Sequence, residues 1–164
     1  MSKDGDAVLP YPMQIGSGTF DLIAGLGQSF ERDHDSYGFQ LRGIMPLAEN
    51  DEDYSVGNNY TATVWYARKL NHNISTSIRG PYVLKDNYEG NDRRYAMAQA
   101  MNLVPTIDPK LRGGSRFDIA LGLNWLLSSG HRFSLEYHLP AWQVLDGPQL
   151  ETDSGLTFGW QLAF

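Results

Sequence analysis

The last nine residues, LTFGWQLAF, set Leu156, Phe158, Trp160, Leu162 and Phe164 against the small or polar Thr157, Gly159, Gln161 and Ala163. Alternation with period two is the mark of a β-strand with one apolar and one polar face. Six more segments carry it. Phe20, Leu22, Ala24 and Leu26 alternate with Thr19, Asp21, Ile23 and Gly25, and Tyr37, Phe39 and Leu41 with Gly38, Gln40 and Arg42. Tyr60, Ala62, Val64 and Tyr66 face away from Thr61, Thr63, Trp65 and Ala67; Ile74, Thr76 and Ile78 more weakly oppose Ser75, Ser77 and Arg79. Phe117, Ile119, Leu121, Leu123 and Trp125 alternate with Asp118, Ala120, Gly122 and Asn124, and Phe133, Leu135, Tyr137 and Leu139 with Ser134, Glu136 and His138. The pattern predicts about seven strands. One stretch departs from it: RRYAMAQAMN, residues 93–102, has the spacing of a short helix inside a long loop, residues 85–115.

The connections alternate short and long. ERDHD, LNHN and SSGH are brief; PLAENDEDYSVGNN, residues 85–115 and AWQVLDGPQLETDSG are extended. A soluble sandwich has no reason for that rhythm, whereas an up-and-down outer-membrane barrel does, with tight periplasmic turns and long external loops. Strands of about 8–12 residues suit a tilted crossing of the hydrocarbon. Tyr37, Tyr60, Tyr66, Trp125 and Phe164 near strand ends suit an interfacial girdle. The expected fold is therefore all-β, an antiparallel up-and-down transmembrane β-barrel with about 7–8 strands from this chain, which forms the whole barrel or part of a larger one. Residues 1–18 are an N-terminal extension or extra strand, and residues 19–164 the barrel domain. The terminal segment, ending on Phe164, resembles the outer-membrane β-signal read by barrel-insertion machinery; a buried edge strand of a soluble sheet is the alternative for that segment taken alone.

Composition agrees. Seventeen Gly and twenty aromatic residues with 20% charged residues suit tightly turned β-structure. A net charge of −6 disfavours a nucleic-acid partner. Without cysteine there is no thiolate chemistry and no disulfide framework. No apolar run approaches the roughly 18 residues of a membrane helix. Met1–Leu9 lacks a basic end followed by an apolar stretch, so export implies a leader removed or replaced.

The segments LPYPMQIGSGTFDLIAGL, VPTIDPKLRGGSRFDIALGLNW, GHRFSLEYHLPAWQVLDGPQLETD and LTFGWQLAF resemble a family of Gram-negative outer-membrane barrels. Its members are labelled as transporters and are related to the proteins encoded with meta-pathway phenol degradation. GSGTFDL and DGPQLETD are the most distinctive stretches. The resemblance implies a bacterial outer-membrane location, contact with outer-membrane lipid, and passage of small molecules. Family members are typically longer, so the chain looks like the C-terminal portion of such a barrel.

Strand parity bears on closure. With a periplasmic C-terminus, seven strands leave the N-terminus outside, and single-chain bacterial barrels have even strand numbers. Either Ala7–Ile15 adds an eighth strand, or another chain or copy supplies the missing ones. Pro10 and Pro12 argue against an ordinary central strand. Closure by a partner polypeptide carrying N-terminal strands is expected, with a self-contained eight-stranded barrel as the alternative.

The polar face places Asp21, Gln40, Arg42, Arg79, Asp118, Asn124, Glu136, His138 and Gln161 in the lumen. Acids and bases facing one another across a narrow interior form either a salt-bridged filling or a selective constriction. The candidates for the constriction are Arg42, Asp118, Glu136, His138, Asp21 and Gln40, with the first three at its core. Function divides accordingly between a channel for small solutes and a non-conducting subunit that anchors or docks a partner. An enzyme is not expected: Ser134 and His138, four residues apart on one strand, stand about 13 Å apart, too far for a nucleophile and its base. No cofactor or metal is expected. His34, His72 and His131 fall in turns without ligand spacing, and the acidic loop ENDEDY, residues 49–54, lacks the spacing of a calcium loop. That loop is read as solvated and able to recruit divalent ions loosely; NDRRY, with Arg93 and Arg94, is read as an exposed loop that could meet a lipopolysaccharide phosphate.

Overall fold

A computed structural model describes residues 3–4, 7–101 and 104–162. Phe164 of the expected insertion signal and Asn102 of the expected helix lie outside the described residues. Seven long strands follow the alternating segments: β1 (Asp21–Glu31), β2 (Asp35–Pro46), β3 (Asn59–Lys69), β4 (Ile74–Lys85), β5 (Gly114–Leu126), β6 (His131–Leu145) and β7 (Gly155–Leu162). They form one antiparallel sheet in sequence order, curled into a half-barrel. Residues 32–34, 70–73 and 127–130 make the tight turns at one end. The opposite end carries the long connections 47–58, 86–113 and 146–154, and the segment leading into β1.

Period-two side chains in register make continuous rows across such a sheet. One row joins all seven strands: Phe30, Tyr37, Tyr66, Ile78, Leu121, Tyr137 and Leu156. Every member is exposed, including Leu121 at 57% on the interior strand β5. The row is slanted. Phe30 is one residue from the turn end of β1, and Leu156 is six from the last described residue of β7. That stagger is the shear that tilts strands in a barrel wall. Around the row, aliphatic residues (Val64, Leu123, Leu135) fill the middle of the outer face. Aromatic side chains gather toward its two ends, with Trp125, Phe133 and Trp160 near the turns and Tyr82, Phe117 and Trp142 near the long loops.

Among the described residues, no second layer covers this face. The accessible surface is 11190 Å², where a compact monomer of 18.4 kDa would expose about 8,200 Å². Roughly two dozen large apolar side chains on the outer face, each about half exposed, account for on the order of 2,000 Å², several times the largest patch of an ordinary soluble monomer.

Prolines extend rather than end two strands. Pro81 lies within β4 opposite Thr63, and Tyr82 and Leu84 continue the outer face beyond it. Pro140 precedes a register shift in β6; Ala141 is the extra residue, so the outward position passes from Leu139 to Trp142. A bulge resets parity in this way. Ala7–Ile15 adds no eighth strand to the sheet: Ala7–Val8 pairs with Lys3–Asp4, and Tyr11–Met13 forms a 3-10 turn. The segment read as a helix from 93 to 102 begins as a 3-10 turn over Arg93–Tyr95 and continues as a five-residue α-helix, Ala96–Ala100. The Asp92 side chain caps it by accepting from the Arg94 N–H.

The buried apolar cluster lies in the loops, not against the sheet. Tyr11, Tyr54, Tyr95 and Ile107 form it, with Val56, Tyr88 and Ala98 packed around. Tyr11 is central, edge-on to Tyr54 at 4.9 Å, Tyr88 at 5.3 Å and Tyr95 at 5.7 Å. A two-residue ladder, Tyr54–Ser55 with Glu89–Gly90, ties the second long loop to the first.

Candidate functional site: the concave face

The polar half of each alternating strand lines the concave side. A cavity of about 390 Å³ is bounded there by Gln40, Arg42, Thr61, Thr63, Arg79, Arg116, Asp118, Glu136, His138 and Thr157, among others, contributed by six strands. Five of the six sequence-derived candidates (Arg42, Asp118, Glu136, His138 and Gln40) therefore meet on one surface. Asp21 does not join them. It sits at the loop end of β1, where its carboxylate accepts from the Ser17 hydroxyl at 3.0 Å and the Thr19 hydroxyl at 2.9 Å.

Asp118 is the centre of the cluster and is 4% exposed. Its Oδ1 is 3.0 Å from Nε of Arg116, two residues earlier on the same face of β5. The contact is an ion pair without hydrogen-bond alignment, and both atoms keep unused bonding capacity. Asp118 Oδ2 is 3.8 Å from Nδ1 of His138 on β6. Arg116 also donates to the Thr152 hydroxyl at 2.7 Å, which ties the cluster to the β6–β7 loop. Arg79 on β4 pairs with Glu136 on β6, across the strand between them. Among the described residues, no carboxylate lies within ion-pair range of Arg42. Among the described residues, the cavity is thus lined by three arginines against two carboxylates and one histidine. Arg116 was missing from the sequence-derived set, although its separation of two from Asp118 puts it on the same face.

Glycines on neighbouring strands make room for the larger inward side chains. Trp65 of β3 lies over Gly38 of β2, where a Cβ would fall 2.5 Å from the indole ring. The His138 imidazole lies over Gly155 of β7. A side chain larger than hydrogen at either glycine would displace its partner.

The acidic loop and the arginine pair, read separately in the sequence, prove to be partners. Arg93 Nε lies 2.9 Å from Asp53 Oδ2, and Arg94 Nη1 3.3 Å from Glu52 Oε1. Arg94 also grips Asp92, which is fully buried; hydrogen bonding to that carboxylate raises the guanidinium pKa further. The Asn50 side chain accepts from the Glu52 and Tyr54 N–H groups and shapes the loop. The loop acids and arginines therefore neutralise one another, which leaves less charge for a calcium ion or an external phosphate. Burial raises the pKa values of Tyr11, Tyr54, Tyr88 and Tyr95 in the adjoining aromatic cluster.

His131 Nδ1 accepts from the Trp160 indole N–H at 3.1 Å, and its ring stacks on Trp160 at 6.0 Å. Among the described residues, no three His, Asp or Glu side chains are grouped as a metal site would require. Comparison with protein-family models, with curated proteins and with solved structures found no match.

Proposed function

We propose that the chain is one wall of a bacterial outer-membrane β-barrel through which a small solute passes, with Arg42, Asp118 and Glu136 at the constriction. The observation that carries this is the two-sided character of the curled sheet. An unbroken apolar row crosses all seven strands uncovered, and charged residues converge on the other side. Hydrocarbon is the solvent that such an outer face fits. The spacing of the aromatic bands supports it. Phe117 and Trp125 are eight residues apart on β5, about 27 Å along the strand. A tilt of about 40° reduces this to about 20 Å along the membrane normal, close to the apolar band of outer-membrane barrels.

The resemblance to outer-membrane transporters related to phenol-degradation proteins points the same way. Within this proposal, Leu156, Phe158, Trp160, Leu162 and Phe164 are the stretch read by the insertion machinery, and a second polypeptide supplies the N-terminal strands that complete the cylinder. Paired charges on the wall, Arg79 with Glu136 and Arg116 with Asp118, favour one other reading: a non-conducting subunit whose lumen is closed by its own side chains.

Conductance of the detergent-extracted assembly in planar bilayers separates the two. A passage protein gives discrete conductance steps, and the double variant Arg42→Gln/Asp118→Asn alters their ion selectivity. Conductance with unchanged selectivity removes the constriction from these residues. A silent bilayer removes passage and leaves the docking subunit.

A further inference from the structure

We propose that the two open edges of the sheet, β1 and β7, are bridged by a polypeptide contributing an odd number of up-and-down strands, at least five, and not by a second copy of this chain. The inference rests on the membrane reading above and deepens it.

Both edge strands run in the same direction, from the long-loop end to the turn end, because seven alternating strands begin and end alike. In hydrocarbon, unpaired N–H and C=O groups along β1 and β7 have no water to bond, so each edge needs a neighbour. Between Asp21 and Glu31 at the ends of β1, neither edge strand carries a charge that would discourage one. Soluble proteins blunt exposed edges with lysine, proline or a bulge. DLIAGLGQSFE and GLTFGWQL contain no lysine and no proline, and both pair with their inner neighbours without a register shift.

Direction and curvature then select the occupant. Pairing β1 with β7, within one chain or between two upright copies, makes a parallel seam. An odd number of added strands makes every neighbour antiparallel and the total even, as in single-chain bacterial barrels. The sheet covers half a cylinder, so the complement is of similar width: five or seven strands. The chain entering β1 is anchored at the long-loop end, where Tyr11 fills the aromatic cluster. The strand laid against β1 therefore runs up toward that end, with large apolar side chains outward and small or polar ones inward.

The chain has no cysteine, so introduced pairs report on the seams. Ser29→Cys with Gln161→Cys places one thiol near the turn end of each edge strand, both facing inward. A parallel seam brings these together. Ser75→Cys with Asn124→Cys, directly opposed on β4 and β5, is the positive control. The double variants are oxidised in outer membranes, extracted in detergent and weighed by native mass spectrometry. The expected result is a disulfide in the control only, and an assembly heavier than one chain by a polypeptide long enough for five or more strands. An edge-to-edge disulfide, a mass of two copies, or a mass of one chain alone overturns the proposal while leaving the membrane location intact. A chain recovered folded in the soluble fraction without detergent overturns the membrane reading itself, and this proposal with it.

Discussion

Leu121→Arg is the substitution that most sharply separates hydrocarbon from water as the solvent of the outer face. Leu121 lies in the seven-residue row between Ile78 and Tyr137, midway between the aromatic Phe117 and Trp125 of its own strand, with five residues of β5 remaining before the turn. More than half of the side chain is exposed. If water bathed that surface, the loss would be confined to the covered part of the leucine, under about 1 kcal/mol. At the middle of a bilayer, an arginine on the lipid face of a barrel costs about 2–4 kcal/mol. That is about a 30- to 700-fold shift in the folding equilibrium. Leu84→Arg, on the same face at the loop end of β4, falls near the interface and should cost about 0–1 kcal/mol. The measurement is a urea titration of the assembly in phosphatidylcholine vesicles, followed by fluorescence of the four tryptophans. Equal costs for the two variants, both below about 1 kcal/mol, would refute a lipid-facing outer surface.

Tyr11→Ala removes the ring that touches three others, at a local cost of about 3–5 kcal/mol; trypsin should then cut at the exposed Lys110 much faster. Tyr11→Phe keeps the rings and deprives the Asp92 N–H of its acceptor, at about 1–3 kcal/mol, so its loop should be cut at an intermediate rate. Alkali should open the same cluster. Tyr11, Tyr54, Tyr88 and Tyr95 have pKa values raised by burial, so their contribution is complete below the unfolded value of about 10 and is lost as pH rises through the folded values. Cleavage of the loops by an alkali-stable protease should rise as the pH passes above about 10 and these four ionise; a rate that stays flat through that range would contradict the packing. Gly38→Val should push Trp65 off the neighbouring strand, shift its emission and cost about 1–3 kcal/mol in the vesicle titration.

The sheet was legible because alternation is a local signal with a strong physical cause, and all seven alternating segments became strands. The alternation read in the sequence stops at Arg79 and Leu139, yet β4 and β6 continue through Pro81 and Pro140; a bulge after Pro140 breaks the period that would have extended β6. The concave cluster was largely legible for the same reason as the sheet, since residues of one parity share a face. Arg116 obeys the same rule, two residues before Asp118 on one face of β5, although the polar set counted from Asp118 leaves it out. The aromatic loop cluster was not legible. Tyr11, Tyr54, Tyr88 and Tyr95 come from three loops, and no periodicity links them. Their one shared trait is tyrosine in segments otherwise rich in turn formers. The ion pairs between Glu52, Asp53, Arg93 and Arg94 were hidden likewise, because each half resembles an ordinary solvated run until the loops meet.

The distribution of burial shows where stabilisation resides. Strand pairing holds the sheet together, but the apolar rows that set its register gain little from one another, since most of their area faces outward. Among the described residues, only the loop cluster is a core in the ordinary sense, and it contains four aromatic or aliphatic side chains below one-tenth exposure. An 18.4 kDa chain with about 3,000 Å² more surface than a compact monomer has not collapsed around itself. The loop cluster can therefore hold the long-loop end together in water by itself, whereas the sheet depends on what covers it. Detergent or lipid covers the outer face but supplies no backbone partners to β1 and β7. The chain alone in a micelle should thus keep its loop cluster and still associate through its edges, and only strands laid along both edges should end that association.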